Sequence, residues 1–138
     1  MGRVLVIDDL QLRQDWFRDV LTQCDQVMDE ARSVGEAVLV LKERLDPPER
    51  LVGRTIVQDP PAKFDVIFLD FDVDVGFDRR NFGEFVRWAT ENDFVRERLL
   101  ADGTVFFIHS TSCDDGVDEM QNLLERLGFC VLRCEFQP

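Results

Sequence analysis

The sequence predicts an α/β protein in which helices cover both faces of a five-stranded parallel sheet. Three observations carry that expectation. Short apolar runs at Val4–Ile7, Val66–Leu69 and Val105–Ile108 are rich in β-branched and aromatic residues and are too short for stable helices. Such runs read as strands buried on both faces, the position of central strands in a parallel sheet. A helix-periodic segment follows each run. The first two runs stop on carboxylates, Asp8-Asp9 and Asp70, and the third on His109-Ser110. The carboxyl ends of strands in open α/β sheets are where ligands bind.

Arg3–Ile7 is the first strand. Leu12, Trp16 and Val20, joined by Phe17 and Leu21, mark the apolar face of a helix over 11–23. Gln26-Val27-Met28 is a short strand near a sheet edge. Ser33, with Glu36 three residues on, has the form of a capping box. Val34, Ala37, Val38, Leu41 and Leu45 continue as a helix face until Asp46-Pro47-Pro48. Proline stops the helix because it lacks a donor and clashes with the preceding turn.

Residues 46–63 read as an irregular insertion bracketed by two Pro-Pro pairs, with Gly53-Arg54 placed to turn a short hairpin. The central strand is followed by an acid-rich loop over 73–78. Phe82, Phe85, Val86 and Ala89 give the next helix face, and Phe94, Val95, Leu99 and Leu100 a further turn or two. Thr104–Ile108 is a strand. Val117, Met120, Leu123, Leu124 and Leu127 mark a helix closed by Gly128. Phe129–Leu132 is the last strand. This alternation implies right-handed crossovers and, most economically, the flavodoxin-like order 2-1-3-4-5 in a three-layer sandwich. One domain spans 1–138.

The 138 residues are 45% hydrophobic, enough for one sizeable core. No apolar run approaches the roughly 20 residues of a membrane span. The start, Met1-Gly2-Arg3-Val4, lacks the features of a signal peptide, so the expected compartment is the cytoplasm. A net charge of −12 argues against generic nucleic-acid or anionic-membrane binding. Cys24, Cys113, Cys130 and Cys134 form no Cys-x-x-Cys pair, which argues against zinc.

The predicted strand order brings Asp8, Asp9, Asp70, His109, Ser110 and Thr111 to one rim. Carboxylates gathered there repel each other unless a cation sits among them or one takes up a proton. A hard divalent ion, Mg²⁺ above all, suits carboxylate and backbone oxygens. Asp8, Asp9 and Asp70 are candidate ligands, with a further oxygen near Asp72. The hydroxyls of Ser110 or Thr111, and the amides opening the next helix, suit an anion. His109 is the only histidine. It is either a hydrogen-bonded strand-end residue or a general acid–base group, since its ordinary pKa of about 6.5 suits proton transfer. Arg13, one helical turn after Asp9, is either a surface residue or reaches back to a carboxylate or phosphate.

Val4 to Asp9, Val66 to Asp70 and the hydroxyl residues after Ile108 together resemble the receiver domain of response regulators, with its CheY-like fold. The resemblance covers nearly the whole chain. It implies an acidic pair at Asp8 and Asp9, a phosphoacceptor at Asp70 and a switch hydroxyl at Ser110 or Thr111, with a signalling protein as partner. Two features depart from it. Leu132-Arg133-Cys134-Glu135-Phe136 contains no lysine where receivers carry one against the phosphoryl group, and an end at Pro138 leaves no room for the usual C-terminal helix.

The sequence is most similar to the cyclic-phosphate-processing receiver-like branch. Asp8-Asp9-Leu10-Gln11-Leu12-Arg13 resembles its Asp-Asp-x-x-x-Arg opening. Leu69-Asp70-Phe71-Asp72 resembles its Leu-Asp-His-Asp motif with Phe71 in place of the histidine. His109-Ser110 resembles its His-Ser signature. This likeness implies a metal-dependent phosphoesterase-type site. Asp70 and His109 would be catalytic, Ser110, Thr111 and Arg13 would hold phosphate, and Asp8, Asp9, Asp70 and Asp72 would hold Mg²⁺. The partner would be a phosphate-containing small molecule. Asp70-x-Asp72-x-Asp74 also looks like a haloacid-dehalogenase motif, although that family puts this strand first in the domain. A module that binds without chemistry would use 46–63 as its contact surface.

Overall fold

The computed structural model describes residues 2–70, 80–110 and 115–135, with the backbone alone for 80–82, 110, 115–116 and 134–135. The apolar runs form a parallel sheet of β1 (Arg3–Ile7), β2 (Val27–Ala31), β5 (Val66–Asp70), β6 (Val105–Ser110) and β7 (Cys130–Glu135). Their spatial order is β2-β1-β5-β6-β7. Counting only the strands of this sheet, that is the expected order 2-1-3-4-5.

The helices are α1 (Gln11–Gln23), α2 (Val34–Leu45), α3 (Arg80–Glu91), α4 (Asp93–Ala101) and α5 (Asp115–Arg126). At the start of α2, Ser33 Oγ accepts from the Glu36 N–H at 3.1 Å. Glu36 reaches back to the N–H of Arg32 rather than of Ser33. Asn92 caps α4 in the same way, accepting from the Val95 N–H at 3.1 Å.

Residues 46–63 contain an antiparallel ribbon, β3 (Glu49–Val52) and β4 (Thr55–Gln58), which forms a sheet of its own. Its turn falls at Gly53-Arg54, where Gly53 has φ +64, a conformation that favours glycine.

Alternation along the strands divides the core. Leu5, Ile7, Ile67, Leu69, Phe106 and Ile108 pack with residues of α2, α3, α4 and α5. Val4, Val6 and Phe68 face the other way, against Phe17 and Leu21 of α1. Here the sequence reading of α1 needs correction. Leu12 is 85% exposed and Trp16 58%, whereas Gln14 is fully buried. The helix is rolled so that Gln14, Phe17 and Leu21 meet the sheet. Gln14 finds backbone acceptors there, a gain that apolar periodicity does not register.

Candidate functional site

The α1-facing side of the three central strands carries the same pattern at its carboxyl end. On β1, Val4 and Val6 lead to Asp8; on β5, Phe68 leads to Asp70; on β6, Phe107 leads to His109. Side chains two apart share a face, so the apolar ladder ends in a polar cap. Asp70 and His109 are direct neighbours in the sheet register. Asp8, Asp70 and His109 are all buried. The imidazole stacks on Phe68, with ring centroids 5.8 Å apart.

Gln14 fixes the base of this cap. Its amide nitrogen donates to the carbonyls of Asp8 at 2.9 Å, Ala31 at 3.1 Å and Val6 at 3.2 Å. The Asp8 N–H also donates to Ala31 O, at 3.0 Å. Gln14 thus ties α1 to the ends of β1 and β2, and it is a positioning residue that sequence reasoning missed. The available signal was a polar residue in helical phase with Phe17 and Leu21. Gln14→Leu keeps the bulk and removes the donors. A loss of about 1–3 kcal/mol in urea unfolding is expected, the cost of stranding buried acceptors.

Arg13 lies over the cap. Its Nε is 3.2 Å from Asp8 Oδ2, its Nη2 3.3 Å from Asp70 Oδ2, and its Nη1 3.3 Å from His109 Nδ1. With Arg13 as donor, Nδ1 accepts, which puts the proton of a neutral imidazole on Nε2. The same Nδ1 stands 3.9 Å from Asp70 Oδ1. Of the two sequence readings for Arg13, the geometry selects the one that reaches back to carboxylates.

The three carboxylates converge. One oxygen each from Asp8, Asp9 and Asp70 lies within 4.8 Å of the other two. Asp8 Oδ1 accepts from the Leu10 N–H at 2.9 Å. Asp8 Oδ2 is buried and receives no hydrogen bond among the described residues. Burial raises the Asp8 pKa to about 6 from 3.8; the Leu10 N–H opposes the rise, Asp70 and Asp9 add to it, and Arg13 opposes it. Hard oxygen donors at this spacing, one of them buried and met by Arg13 through charge rather than an aligned hydrogen bond, fit a divalent cation such as Mg²⁺.

Ser110 follows His109 on β6, with its backbone in register with Glu135. The Ser110 side chain, Thr111, Asp72, Asp74, Phe71 and Cys113 lie outside the described residues. Arg133 is in register with Ile108, on the face opposite His109, and pairs with Asp118 of α5. Among the described residues, the arginine that meets the Asp8 and Asp70 carboxylates is Arg13. No described helix is long and apolar enough to cross a membrane.

No family model matches the sequence, and no curated protein matches it. Solved structures do. The chemotaxis protein CheY4 of Vibrio cholerae is similar over 100% of this chain and 90% of its own, with TM-score 0.63 and 16% identity. The non-phosphorylated HemR receiver domain of Leptospira biflexa is similar over 99% and 85%, with TM-score 0.60 and 14% identity. A CheY-like response regulator receiver domain protein of Methanospirillum hungatei JF-1 is similar over 100% and 85%, with TM-score 0.60 and 14% identity. The chain has the CheY-like receiver fold, and its acidic cluster of Asp8, Asp9 and Asp70 sits where β1 and β5 end.

Proposed function

We propose that this chain is a signal-transduction receiver that accepts a phosphoryl group on Asp70. The supporting observation is the convergence of Asp8, Asp9 and Asp70 at one rim of a receiver fold. In the proposed step an Asp70 carboxylate oxygen attacks the phosphorus of an acyl phosphate or a phosphohistidine protein. A new O–P bond forms, and the donor's P–O or P–N bond breaks and leaves with its electron pair. Asp8, Asp9 and Asp70 would hold Mg²⁺, with Asp72 adding an oxygen. The ion would neutralise charge on the phosphoryl oxygens. Ser110 or Thr111 would then answer the new phosphate by hydrogen bonding, altering the surface offered to a signalling partner.

Acetyl phosphate or beryllofluoride with Mg²⁺ tests this reading. Wild type should show an altered tryptophan spectrum and, with acetyl phosphate, a single phosphoryl adduct by mass. Asp70→Asn should show neither. A wild type that responds to neither reagent would falsify the proposal.

A second reading, processing of a cyclic phosphate, draws support from the buried His109 imidazole beside Asp70 and Arg13. Water would attack phosphorus and one ring P–O ester bond would open. The imidazole would take the proton from water and return it to the leaving oxygen. Turnover of a cyclic nucleotide that is lost in His109→Ala would favour this reading over the first.

A further inference from the structure

Asp8 Oδ2 and Asp70 Oδ2 are both fully buried, and Arg13 stands against both, through Nε on one and Nη2 on the other. One guanidinium therefore brings positive charge to two of the three clustered carboxylates. It leans on the oxygens that a metal ion would use. The Arg13 side chain is itself 30% exposed. Its residue lies in the first turn of α1, so its long stem can swing toward water with the helix left in place.

We propose that Arg13 is the resident cation of this site, that it competes with a divalent ion for Asp8 and Asp70, and that the ion's arrival frees its guanidinium for an anion. The inference rests on the reading of Asp8, Asp9 and Asp70 as a metal site. The carboxylate cage has two states. In one, Arg13 closes it, and Asp70 is both covered and paired. In the other, the metal holds the carboxylates, and Arg13 turns to the solvent side, where phosphate oxygens would meet it. Metal and phosphate-type anions then bind with positive coupling, and by linkage each strengthens the other equally. His109 loses its Nη1 donor in the same movement, which ties the imidazole to the occupancy of the cage.

The test is binding of Mg²⁺, and of Mn²⁺ as a paramagnetic probe, to wild type, Arg13→Ala, Arg13→Gln and Asp70→Asn at pH 8. Removing the competing cation should tighten metal binding about tenfold or more, the scale of a hydrogen bond to a charged group. Asp70→Asn should lose the ion. Mg²⁺ should also restore the melting temperature that Arg13→Ala loses, while moving that of wild type less. Equal or weaker binding in both Arg13 variants overturns the competition and leaves the metal site standing. Absence of binding in every protein overturns both. A readout independent of any variant's folding is the Arg13 Nε–H resonance of wild type. It should be protected without metal and exchange rapidly at saturating Mg²⁺; persistent protection overturns the proposal.

Discussion

Phe106→Ala is expected to lower the unfolding free energy by about 3–5 kcal/mol, the usual range for emptying a buried phenylalanine site. Phe106 is fully buried. It lies on β6, in register with Ile67 on one side and Val131 on the other. Its ring meets Phe129 edge-on at 5.0 Å. The surrounding side chains are held by strands on both sides and helices above, so they cannot collapse into the space. Against a total stability of about 5–15 kcal/mol for a domain of this kind, such a loss leaves little margin. Phe107→Ala is the matched control. That ring is half-buried on the α1 face, and its removal should cost less. Urea midpoints for the two variants measure the difference. Equal costs would mean that the two faces of β6 contribute alike to the core.

Stability should fall as pH rises from about 4 to about 6, through the contribution of Asp8. Native Asp8 holds its proton up to a pKa of about 6, against 3.8 for the ordinary group. Between those values the native state binds more protons than the unfolded chain, so raising the pH favours unfolding. The contribution is intact below pH 4 and gone above pH 6. Its full size is at most about 3 kcal/mol, from 1.36 kcal/mol per pKa unit. Asp8→Asn removes the slope and is expected to be the more stable protein near neutral pH. The difference between the two unfolding curves isolates Asp8 from the other carboxylates. Saturating Mg²⁺ should flatten the wild-type slope, because an ion on Asp8 favours the charged form. A slope of opposite sign in the difference curve would show that Arg13, and not burial, dominates the Asp8 carboxyl.

The central strands were legible because four-residue apolar runs of β-branched and aromatic residues have few other uses in a chain of this length. Asp8, Asp70 and His109 were legible because each follows such a run and the predicted strand order sets the ends of those runs side by side. The orientation of α1 was not. Leu12, Trp16 and Val20 make a regular apolar stripe, yet Leu12 and Trp16 face outward while Gln14 is buried. A glutamine that satisfies three carbonyls offers the helix an anchor that hydrophobic spacing cannot encode. The position of Arg13 was open between two uses, because a helical turn brings it near Asp9 without fixing where its long side chain ends. The ribbon was signalled by Gly53-Arg54 between Leu51-Val52 and Thr55-Ile56-Val57, although its strands are as short as many loop fragments.

Every residue of β3 and β4 is exposed except the half-buried Val57. Two strands with no hydrophobic partner among the described residues are marginal by themselves. Residues 49–58 can therefore open and reclose on their own, exchanging amide hydrogens with water at little energetic cost, while Leu5 and Ile67 wait for the whole domain to unfold.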